Sequence, residues 1–133
     1  MILDIDHVGI AVTDLEEAVE RYRRTLGVEP GHRERVEDQG VEEVLFPVGT
    51  SFLQLIGALG ADTPVGSFLE KRGPGVHHVA YRVGDVAATL EHMRSEGVSL
   101  VDETPRRGSR NTLIAFVHPK GMEGVLVELV QVL

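Results

Sequence analysis

Cysteine is absent from this 133-residue chain, which excludes a disulfide framework and any thiolate metal site. A metal, if one is bound, must be held by histidine, carboxylate or amide. Long apolar runs are missing too, and no stretch approaches membrane-spanning length. The start of the sequence has no basic region followed by an apolar core. No secretory signal is therefore read there, and the cytosol is the expected compartment. Positive charge is in short supply: 13 Lys and Arg stand against 21 Asp and Glu, for a formal net charge of -8. That balance argues against non-specific nucleic-acid binding. It would also repel an acidic substrate at long range, unless basic side chains or a cation supply local positive charge. The remaining composition, 42% hydrophobic and 26% charged, is that of a globular domain with a real core.

The strongest positive signal is an internal repeat. Ile5 to Val28 reads as a strand, a capped helix and a stop, and Val76 to Val98 repeats the plan about seventy residues later. Aligning His7 with His78 brings Val12 onto Val83, Asp14 onto Asp85 and Arg23 onto Arg94; one residue of slack sets Gly27 opposite Gly97. In Ile5 to Val12, the residues Val8, Ile10 and Val12 share one strand face and His7, Gly9 and Ala11 the other. The branched face suits packing under a helix. The other suits a cavity wall. Thr13 to Glu16 reads as a capping box with Thr13 as N-cap. Leu15, Ala18, Val19, Tyr22 and Leu26 form an apolar helical stripe, and Gly27 ends it.

Three strands are predicted next, over His32 to Val36, Val41 to Val48 and Phe52 to Ile56. A short helix over Pro64 to Lys71 follows, capped by Thr63. In the second module His77 to Val83 is a strand, and Asp85 caps a helix carrying Val86, Leu90 and Met93. Val98 to Asp102 is predicted as the next strand, and Pro105 to Asn111 as a basic loop. Thr112 to Val117 and Val125 to Val132 are the last strands. The fold class expected is α+β: two strand-helix-three-strand modules, residues 1–57 and 76–133 joined by 58–75, forming an open barrel-like sheet around a cleft in a single domain of residues 1–133.

Four polar residues interrupt otherwise apolar strands. His7 and His78 are repeat-equivalent, and so are Gln54 and Glu128, each in the middle of a module's last strand. A carboxylate flanked by four aliphatic residues is expensive to bury unless paired or bound to a cation. Two imidazoles, an amide oxygen and a carboxylate make a ligand set for a divalent metal that prefers N and O donors. A lone strand histidine is more often a satisfied core residue than a ligand. The coincidence of two equivalent pairs raises the weight of the metal reading. His77 competes with His78, but alternation turns it to the other face.

The stretches IDHVGIAV, QGVEE, FLQLI, GVHHVAY, FVHPK and GVLVEL resemble the vicinal oxygen chelate superfamily and, within it, the methylmalonyl-CoA epimerase family, over almost the whole chain. The resemblance implies a divalent metal, cobalt first, with manganese, zinc, nickel or magnesium as alternatives, held by His7, Gln54, His78 and Glu128. It implies an isomerase that moves the C2 proton of methylmalonyl-CoA through an enolate. Glu43 matches the family's base, and a dry setting would raise its pKa. Read without the resemblance, Glu42 and Glu43 are an ordinary charged pair at a strand start. Glu128 or a water at the metal is the candidate for the second proton carrier. An acyl-CoA partner and a homodimer are expected. Arg106, Arg107, Arg110 and Lys120 are candidates to meet CoA phosphates, although solvated loop charges are the commoner case. The rival readings are a glyoxalase I type lyase, an iron dioxygenase, and a non-catalytic small-molecule-binding or resistance protein of the same fold.

Overall fold

A computed structural model describes all residues, 1–133. The elements in chain order are β1 (Ile2–Ala11), α1 (Leu15–Leu26), β2 (His32–Val36), β3 (Val41–Val48), β4 (Ser51–Ala58), α2 (Pro64–Arg72), β5 (Gly75–Val83), α3 (Val86–Ser95), β6 (Arg106–Gly108), β7 (Thr112–Val117) and β8 (Val127–Val132). The strands hydrogen-bond in the order β2-β3-β4-β1-β5-β8-β7-β6. The chain forms two compact units, residues 7–77 and residues 1–6 with 78–133. Strand β1 contributes to both.

In the unit of residues 7–77, β4 runs parallel to β1 and antiparallel to β3. Leu15, Ala18, Val19 and Tyr22 of α1 pack on Val12, Val44, Phe46 and Leu55. Tyr22 stacks on Phe46 with ring centroids 6.1 Å apart. The predicted stripe stops at Tyr22, because Leu26, one turn on, is exposed. The cap also differs from expectation by one residue. Asp14, not Thr13, is the N-cap, and its carboxylate accepts from the backbone N–H of Glu17 at 3.1 Å. Both residue types can cap, but the side chain that reaches the third helical N–H decides. Gly27 closes the helix as expected, at φ 66°, a left-handed conformation that glycine adopts without a Cβ penalty. Arg33 of β2 ties the sheet to α1 by hydrogen bonding both Glu16 and Glu42. The Arg33 guanidinium holds the exposed Glu16 carboxyl below its ordinary range. On the opposite face, Phe68 and Leu69 of α2 pack with Ala11, Val36, Val41, Ile56 and Val65.

In the other unit, β8 is parallel to β5 and antiparallel to β7, so the first unit's pairing plan recurs. Val86 and Leu90 of α3 pack with Val83, Ala115, Val117, Val127 and Leu129. Asp85 caps α3 as predicted, accepting from Ala88 N–H. One strand assignment is overturned. Val98 to Asp102 makes only an isolated bridge, Leu100 to Val117. Its apolar residues Val98 and Leu100 pack instead against the α3 core. The edge strand is β6, inside the stretch read as a basic loop, with Arg106 opposite Ile114 and Arg107 opposite Leu113. Arginine serves there because its long stem covers apolar surface while the head stays polar. The Arg106 guanidinium lies 5.7 Å over the Phe116 ring.

The shifted cap gives a direct test. Asp14→Ala should cost about 1 kcal/mol of unfolding free energy, measured by urea denaturation, and Thr13→Ala only a few tenths. The reverse order would return the cap to Thr13.

Candidate functional site

Strand register sets the site's first half. In the unit of residues 7–77, Gln54 of β4 stands opposite Gly9 on β1 and Leu45 on β3. His7 lies two residues before Gly9, and Glu43 two before Leu45. Side chains two apart share a sheet face, so His7, Gln54 and Glu43 project from one face. All three are buried: His7 is 3% exposed, Gln54 6% and Glu43 3%. The Gln54 amide nitrogen donates to Glu43 Oε1 at 3.2 Å. The Gln54 amide oxygen is buried and accepts no hydrogen bond. A buried polar atom without a partner forfeits its hydration, a cost of about 1–3 kcal/mol that asks for a reason.

The same plan recurs in the other unit. Glu128 of β8 stands opposite Ala80 on β5 and Phe116 on β7. His78 lies two residues before Ala80, as His7 does before Gly9. His78 Nε2 is 3.2 Å from Glu128 Oε1, and both residues are buried. The Phe116 ring meets the His78 imidazole edge-on, with centroids 5.7 Å apart. The repeat breaks at one place. The position corresponding to Glu43 is Ile114, buried and apolar. His77, the competing ligand candidate, is only half-buried and lies edge-on to Phe68. Alternation along β5 thus separates the two adjacent histidines as expected.

His7, Gln54, His78 and Glu128, the four residues singled out as polar interruptions, are therefore all inside. His7 in one unit, and His78 and Glu128 in the other, are buried donors of the kinds that could hold a metal ion. The unsatisfied Gln54 oxygen is a fourth donor of a kind such an ion accepts. Neutral imidazoles, a carboxylate and an amide oxygen suit a divalent metal of intermediate hardness.

One buried group escaped the sequence. Asp6 is fully buried. Its Oδ1 accepts from Arg82 Nε at 3.0 Å and Nη2 at 2.9 Å, and its Oδ2 from Arg110 Nη2 at 2.6 Å. A charged residue beside a strand histidine was the available signal. Its partners lie 76 and 104 residues away, so no local pattern names them. The arginines considered for phosphate binding already have protein partners. Arg110 holds Asp6, Arg107 donates to the Asn111 side chain, and Arg106 lies 3.3 Å from Asp102. Lys120 is exposed in the turn before β8.

Comparison with known proteins covers nearly the whole chain. Residues 6–116 match the family model of the Glyoxalase/Bleomycin resistance protein/Dioxygenase superfamily. The ethylmalonyl-CoA/methylmalonyl-CoA epimerase of Cereibacter sphaeroides is 37% identical, over 99% of this chain and 100% of that protein. The crystal structure of methylmalonyl-CoA epimerase from Mycobacterium tuberculosis is 45% identical and superposes with a TM-score of 0.95, covering 99% of this chain and 89% of that one. A methylmalonyl-CoA epimerase solved in complex with methylmalonyl-CoA and NH4+ is 43% identical, with a TM-score of 0.96 over 99% of this chain and 96% of that one. These similarities bear out the expected vicinal oxygen chelate fold, with its paired strand-helix-three-strand modules. The chain belongs to the glyoxalase/bleomycin resistance protein/dioxygenase superfamily and, within it, to the methylmalonyl-CoA epimerase family of isomerases.

Proposed function

We propose that the protein interconverts the (2R) and (2S) epimers of methylmalonyl-CoA by moving the proton on C2. His7, Gln54, His78 and Glu128 would hold one divalent metal, cobalt first among the candidates, and Glu43 would be the base. The observation that carries the ligand set is the repeated register: each unit buries a histidine two residues before the position facing its Gln54 or Glu128. The unpartnered Gln54 oxygen supports it independently. The substrate is proposed from the epimerase relatives.

The C2 hydrogen lies between a thioester and a carboxylate, and its removal leaves charge on the thioester oxygen. A bound divalent cation supplies Lewis-acid stabilisation of that charge. One charged ligand among four leaves the site net positive, which answers the repulsion of an acidic chain for a dianionic fragment. Glu43 takes the proton from one face. Its surroundings are dry, with Val41 and Leu45 buried beside it on the same strand face. Glu128, already within reach of a second titratable group in His78, is the residue proposed to handle the proton on the other face. A working unit of the whole chain as one domain, a homodimer and a cytosolic setting complete the proposal. No helix is long and apolar enough to cross a membrane.

A glyoxalase I type lyase would use the same donors on a glutathione hemithioacetal. The relatives favour CoA thioesters instead. An iron dioxygenase needs only two histidines and a carboxylate, which would leave the Gln54 oxygen unexplained. A non-catalytic binding protein has no use for a buried Glu43.

Two experiments separate these readings. In the first, His78→Ala should remove stoichiometric metal in elemental analysis, and His77→Ala should leave it in place. The opposite result would hand the ligand role to His77. In the second, Glu43→Gln should keep the metal and lower epimerase turnover by about 10²–10⁴-fold, the usual worth of a positioned acid-base group. Full turnover with metal retained would remove Glu43 from the reaction and leave Glu42 to be tested.

A further inference from the structure

Gln54 offers two different atoms to two different neighbours. Its nitrogen donates to Glu43 Oε1 at 3.2 Å, and its oxygen is buried with no hydrogen-bond partner. An ionised carboxylate only accepts hydrogen bonds. The amide must therefore turn its nitrogen to Glu43, and this fixes its oxygen in the other direction. The orientation follows from the chemistry of the pair.

The second unit supplies the contrast. Glu128 occupies the position corresponding to Gln54, and the position corresponding to Glu43 is Ile114. The Glu43 side of the repeat carries an amide. The Ile114 side carries a carboxylate. A carboxylate at position 54 would meet Glu43 at hydrogen-bond distance, with like charges facing each other in a dry setting, where the repulsion is strong. Ile114, buried and apolar, sets no second carboxylate against Glu128.

We infer that Gln54 is a positioning residue for the proton-transfer base: its amide nitrogen holds the Glu43 carboxylate in register with the donor set that its amide oxygen joins. Position 54 is an amide, and not a second carboxylate, because Glu43 is there. This rests on the proposed roles of Glu43 as base and Gln54 as ligand. It adds that the two roles are mechanically joined through one planar group. A shift of the amide moves the base, and a misplacement of about 1 Å can cost about 10²-fold in rate.

The test uses Gln54→Glu and the double variant Glu43→Gln/Gln54→Glu, each as full-length, metal-loaded protein. Gln54→Glu keeps an oxygen donor at position 54, so metal content should match wild type by elemental analysis. Turnover should fall about 10²-fold with KM within about threefold, because the base is displaced and substrate binding is not. The thermal midpoint at neutral pH should drop. The double variant restores an amide-carboxylate pair with the roles exchanged. Its midpoint should recover while turnover stays low, since no base remains at position 43. Gln54→Glu with metal bound and wild-type turnover would overturn the inference. So would a double variant no more stable than Gln54→Glu. If Gln54→Glu does not fold, the double variant decides alone: a folded, metal-bound protein supports the pairing, and an unfolded one overturns it. Failure of the underlying roles is distinguishable, because it would show as metal-free wild type or as a fully active Glu43→Gln.

Discussion

Buried polar groups must be satisfied, and those buried on the strands of this fold include the five residues of the proposed site. His7, Glu43, Gln54, His78 and Glu128 are all under 7% exposed. Removing a carboxylate from water without compensation costs far more than the few kcal/mol by which a domain of this size is stable. The protein answers part of that cost internally. Gln54 donates to Glu43, and His78 meets Glu128 at 3.2 Å. The Gln54 oxygen remains without a hydrogen bond, and a divalent ion held by the same residues would use it. The strands around these groups serve that end. Branched residues on the opposite faces pack under α1 and α3, so the polar faces can be given to chemistry without loss of the core.

The internal repeat explains both the likeness and the difference between the units. Parallel pairing of the first and last strand of each module sets Gly9 opposite Gln54 and Ala80 opposite Glu128. Each histidine then falls two residues earlier on the same face. A duplicated module yields equivalent donors with little further adjustment. The difference lies one strand farther out, where Glu43 corresponds to Ile114. The donors proposed for an ion recur in both units, whereas Glu43, the proposed base, has no counterpart in the second.

Much of this was legible in the sequence because it depends on period. Alternation in the first strand separates His7 from Asp6 and His78 from His77, and the structure keeps both separations. The buried donors were visible as polar interruptions in runs such as Phe52 to Ile56. Legibility failed where period and composition disagree. Arg106 to Gly108 looked like a loop because its charges hid a strand that uses arginine stems as apolar cover. Val98 to Asp102 reads as a strand by its valines and leucine, but Val98 and Leu100 pack on the α3 core and Val101 is exposed. Thr13 and Asp14 are both good caps, and only the helix start selects between them. Asp6 was missed for a different reason. Its salt bridges to Arg82 and Arg110 are made by the fold, and nothing near it in the chain announces them. The role proposed for Glu43 is legible only through family resemblance, because composition alone makes it one of two adjacent glutamates.

The central claim is that this chain exchanges the C2 proton of methylmalonyl-CoA with solvent, and does so only with a divalent ion in place. The most direct measurement follows deuterium at C2 by NMR in D2O, starting from a single epimer. Wild-type protein stripped by a chelator would be compared with the same protein reconstituted with cobalt. The reconstituted protein should incorporate deuterium and yield both epimers, and the stripped protein should do neither. Equal exchange with and without the ion, or no exchange with cobalt or any other divalent ion, would contradict the claim.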